Sequence, residues 1–152
     1  MTTPFGPQLV GETEKTLTAL LRQFLAETGL SEPQWVTLRV AQLYGADDTE
    51  GLAAAVADRA HFPDASDLVG SLTDRGLLEA GRLTPAGRDV ISSVLATSER
   101  ETGGIWRDHP AADVEATTRV LNEVLARARV VLVQRHEADS ENDSNGQRTV
   151  VR

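Results

Sequence analysis

His61, Asp64 and Asp67 place an imidazole and two carboxylates within the seven residues "HFPDASD". Such groups bind metal ions or move protons. No second histidine lies near them and Pro63 interrupts the run, so no metal is assigned and His61 is expected as a loop or capping residue. His109 and His136 fall in a loop and at the start of the tail, without a partner motif. Ser92 and Ser93 have the hydroxyls of nucleophiles but stand in no pattern with a base and its orienting acid. No glycine-rich phosphate loop occurs. The chain has no cysteine, which removes disulfides, thiolate nucleophiles and thiolate zinc sites. No enzyme and no cofactor is expected.

Two other kinds of chemistry remain. Trp35 and Trp106 carry the large ring faces that line small-molecule pockets, although core packing is the plainer expectation for Trp35. The charged residues are distributed unevenly. Between Gly45 and Val90 stand nine acids (Asp47, Asp48, Glu50, Asp58, Asp64, Asp67, Asp74, Glu79, Asp89) and four bases (Arg59, Arg75, Arg82, Arg88), a local net charge of −5 within a chain of −8. A carboxylate repels phosphate, and affinity for nucleic acid of any sequence comes from neutralising phosphates. Asp64 is expected in the first turn of a helix, where it would complement the helix dipole, and Asp67 on a solvated face.

The elements that must position these residues follow from apolar spacing. The 152 residues suffice for one domain, and a composition 40% hydrophobic and 25% charged suits a soluble globular chain. No window is apolar enough to span a membrane, and "MTTPFGPQLV" lacks a basic stretch leading into an apolar one. With no cysteine, this leads to a cytoplasmic expectation. Residues 7–28 carry Val10, Leu17, Leu20, Leu21 and Phe24 on one helical stripe. Ser31 and Pro33 open a second helix that Gly45 closes, and Asp48 or Thr49 caps an alanine-rich third. Pro63 opens a fourth, buried through Leu68, Val69 and Leu72 and ended by Gly76. "LLEAGRL" reads as a minimal hairpin turning at Ala80-Gly81. Thr84 and Pro85 start a fifth helix that Gly103-Gly104 should weaken or bend. A last helix over 113–135 shows Val114, Leu121, Val124, Leu125, Ala128, Val131 and Leu132 at intervals of three and four. Residues 137–152 are polar and aperiodic, and are expected as a disordered tail.

In that order, "GLSEPQWVTLRV", "LVGSLTDRGLLE" and "RLTPAGRDV" resemble the second helix, the recognition helix with the first wing strand, and the wing closure of the MarR family. The resemblance covers roughly residues 7–135. It implies a mainly α, winged helix-turn-helix fold with a very short β-hairpin. The winged helix domain would occupy 1–136, with a head at 31–90 and long dimerisation helices at 7–28 and 113–135. It further implies a homodimer that binds double-stranded DNA as a transcriptional regulator, with Trp35 and Trp106 as the candidate site of a small-molecule effector. DNA contacts would fall at Phe62, Asp64, Ala65, Ser66, Asp67, Ser71 and Arg82. The family carries small hydroxyl residues at the positions of Asp64 and Ser66, and commonly Arg near Phe62, Asp67 and Ser71. Only Ser66 keeps that chemistry here. The family's wing has a long loop with a basic tip. Here Ala80, Gly81 and Arg82 alone separate "GLLE" from "LTPAG". The alternative expectation is therefore a dimeric interaction or ligand-sensing module of the same shape that has lost DNA binding.

Overall fold

A computed structural model describes residues 2–146. The fold is mainly α. In chain order come α1 (Pro7–Leu25), α2 (Glu32–Tyr44), α3 (Thr49–Ala60), α4 (Ala65–Asp74), β1 (Leu78–Glu79), β2 (Arg82–Leu83), α5 (Pro85–Arg107) and α6 (Ala111–Gly146). The chain divides into two compact units, the first ending at Gly103 and the second starting at Gly104, a boundary inside the expected 1–136 domain.

In the first unit α2, α3 and α4 pack against one another, and β1 lies on α4. Leu38, Leu52, Val56, Val69, Leu72 and Ile91 are fully buried in one cluster that also takes in Leu25, Trp35, Leu78 and Val94. Fully burying one such side chain is worth about 1.5–3 kcal/mol, so this cluster is the main source of the unit's stability.

Local chemistry sets the element ends. At α2, the Ser31 hydroxyl accepts from the Gln34 backbone N–H while the Gln34 side chain accepts from the Ser31 N–H, a closed capping box. Asp48 caps α3 by accepting from the Gly51 N–H at 2.7 Å. The Thr84 hydroxyl donates to the Gly76 carbonyl and accepts from the Gly87 N–H, which joins the end of α4 to the start of α5. Gly87 has no room for a side chain, because an added Cβ would lie 2.2 Å from the Leu77 carbonyl oxygen.

Several expected boundaries shift. The first helix stops at Leu25 rather than 28, since the Thr28 hydroxyl donates to the Leu25 carbonyl and accepts from the Leu30 N–H, holding a turn. Pro63 lies ahead of α4, and Asp64 occupies the cap position instead of the first turn, without a side-chain capping bond. The chain leaves α3 through His61 in the left-handed region, φ 56°, and that reversal displaces the start of α4. The α5 helix runs through Gly103-Gly104, where weakening or bending is expected, and continues to Arg107. Two glycines in an established helix cost only about 1 kcal/mol each.

In the second unit α6 starts at Ala111, where the Pro110 carbonyl accepts from the Asp113 and Val114 N–H groups. It continues to Gly146, so the tail expected from residue 137 is helical for its first ten residues. Extending a formed helix needs no new nucleus, and the Ser140 hydroxyl donates back to the His136 carbonyl. The remainder of that expected tail, 147–152, lies outside the described residues.

Candidate nucleic-acid interface

The helix that would read DNA is α4, and its burial divides the seven candidate contact residues into two sets. Ala65 is 5% exposed and faces the core with Leu68, Val69 and Leu72. Phe62 is half-buried and packs on the same cluster. Ser71 is half-buried and accepts a 2.7 Å hydrogen bond from the Gln34 side chain, tying α4 to α2. All three are used for packing or hydrogen bonding within the first unit. Asp64, Ser66 and Asp67 are exposed, and two of the three are carboxylates.

Arg82 is the seventh candidate. The hairpin places it opposite Glu79 across an antiparallel pair whose turn is Ala80-Gly81. Its guanidinium bends back to the α2–α3 loop, donating to the Ala46 carbonyl and to the Asp47 carboxylate at 3.3 Å each. Gly81 is buried against the start of α3, where an added Cβ would stand 2.1 Å from the Asp48 carbonyl oxygen. The strand stem is thus seated on the loop before α3, and its cation, with the side chain 68% exposed, reaches back to that loop.

The other three bases of this region are engaged in the same way. Arg75 reaches across to the α1–α2 turn, donating to the Gly29 carbonyl at 3.0 Å and the Thr28 carbonyl at 3.1 Å. Those carbonyls follow the C-terminal end of α1, where a cation complements the helix dipole. Arg59 lies 3.5 Å from the centre of the Tyr44 ring. Arg88 donates to the Leu83 carbonyl at 2.8 Å. Every base between Gly45 and Val90 therefore serves a contact within its own unit. Of the nine acids, only Asp47 meets one of those bases in an ion pair, and the nine are exposed. The balance of −5 is what this surface presents.

The two tryptophans differ in their surroundings. Trp35 is 7% exposed within the core of the first unit, with no open ring face. Trp106 belongs to the second unit and is 59% exposed. His61, Asp64 and Asp67 are all exposed, and no metal-holding group of three such side chains is found among the described residues.

The expected dimerisation helices differ from each other. Of the five α1 stripe residues, Leu21 and Phe24 pack on the core of the first unit and Val10 is left 41% exposed. On α6 no described residue is buried. Val114, Leu121, Val124, Leu125, Val131 and Leu132 are all exposed.

Sequence reasoning missed Gln34, which joins the Ser31 cap to Ser71 and also accepts from Arg75. The signal was available, because a Ser followed three residues later by Gln is a capping-box spacing. It missed Tyr44 too, whose partner Arg59 lies on the next helix. Among the described residues no helix is long and apolar enough to cross a membrane. Compared with family models, characterised protein sequences and solved structures, the chain matches none of them.

Proposed function

We propose that this chain is a MarR-like, homodimeric interaction or ligand-sensing module in which the winged helix-turn-helix shape is kept and DNA reading is lost. One observation carries the reading: over residues 45–90 nine exposed carboxylates stand against four bases, and each of those bases already holds a contact within the first unit. A protein that closes on a duplex gains affinity by releasing counterions from phosphate, and on this surface nine carboxylates stand against four cations. The homodimer part rests on α6. Its Val and Leu residues at intervals of three and four all remain exposed, an apolar stripe that a second copy would cover.

The competing proposal is a DNA-binding transcriptional regulator of the same family. The order α2, α3, α4 and hairpin favours it, as does the exposed start of α4 at Asp64, Ser66 and Asp67.

Fluorescence anisotropy with duplexes, including the DNA upstream of the chain's own gene, separates the two. The unmodified protein should bind weakly and with a shallow salt dependence, the slope of log affinity against log salt being about −0.9 per phosphate neutralised. Replacing Asp64 by Thr and Asp67 by Arg removes two negative charges per subunit and adds one positive. That variant should gain non-specific affinity if α4 enters the groove. Nanomolar, sequence-selective binding by the unmodified protein would refute the interaction-module reading and establish the regulator.

A further inference from the structure

We draw no further inference here: the strongest candidate, the exposed carboxylates of α3, of α4 and of its cap (Asp58, Asp67, Asp74 and Asp64), is a set of acidic residues alone, and nothing in the structure shows what covers it.

Discussion

The α2–α4 region and α6 carry apolar residues at the same spacing of three and four and use them in opposite ways. Leu38, Leu52, Val56 and Leu72 disappear into one core, whereas Leu121, Val124, Leu125 and Leu132 remain in solvent. Periodicity states that a segment is helical and which face is apolar. It does not state what covers that face. In the first unit the cover comes from the chain itself, because short turns at Gly29, Gly45 and His61 fold successive helices back on each other. Among the described residues of the second unit no helix follows α6 to fold back on it. The same sequence signal therefore predicts folding stability in one region and association in the other.

Paired truncations test this difference directly and carry the largest effects. Leu38→Ala leaves a cavity where the side chain is fully buried, and should cost about 2–5 kcal/mol in denaturant unfolding. Leu121→Asp changes a residue that is 40% exposed in the single chain, so unfolding of the first unit should stay nearly unchanged. Its effect should appear in sedimentation as an affinity between copies weakened by at least about tenfold, because a charge enters a dry contact. Sedimentation of the unmodified protein as a 16.4 kDa species at micromolar concentration would remove the proposed dimer. A Leu121→Asp chain that unfolds as readily as Leu38→Ala would show that α6 is part of the folding core after all.

The hairpin gives the next largest effect and confines it to one region. Gly81→Ala drives a methyl group to 2.1 Å from the Asp48 carbonyl oxygen, against the Asp48–Thr49 backbone and with φ at +75°. The stem must lift from the start of α3, and Arg82 would lose Ala46 and Asp47. A loss of about 2–4 kcal/mol is expected, read as a lowered melting temperature. Gly70→Ala is the matched control. It lies within α4 with nothing near its added Cβ, so it should be neutral or stabilising by up to about 1 kcal/mol.

Much of this architecture was legible from residue types because local chemistry fixes it. Ser31, Asp48 and Thr84 cap where hydroxyl and carboxylate residues stand before apolar runs, and Ala80-Gly81 turns where two short strands need it. The exact start of α4 was not, since it depends on His61 adopting a left-handed backbone that favours glycine. The extent of α6 was misread because a polar, aperiodic segment can continue a helix already nucleated by the residues before it. The candidate site was legible only in its charge. That Arg75, Arg82, Arg59 and Arg88 all turn to partners within the first unit depends on contacts far apart in sequence or across elements, and spacing along the chain carries no sign of them.

The smallest expected effect sharpens the comparison at its finest scale. Ala80 and Gly81 have φ of 46° and 75°, the pair of positive values that a two-residue primed turn requires. Gly81 meets that demand without strain and also leaves room for the Asp48 carbonyl. Ala80 is exposed and meets it with a side chain that disfavours the left-handed region, at a cost of about 1 kcal/mol. Asparagine tolerates this conformation because its short amide bonds to nearby backbone. Ala80→Asn should therefore stabilise the first unit by less than about 1 kcal/mol, raising its melting temperature by a few degrees. The gain should be the same at every protein concentration, because the turn belongs to the region that closes its own core. A gain that grows with concentration would place the hairpin in the association surface, and a loss of stability would show that the turn is not of the primed type.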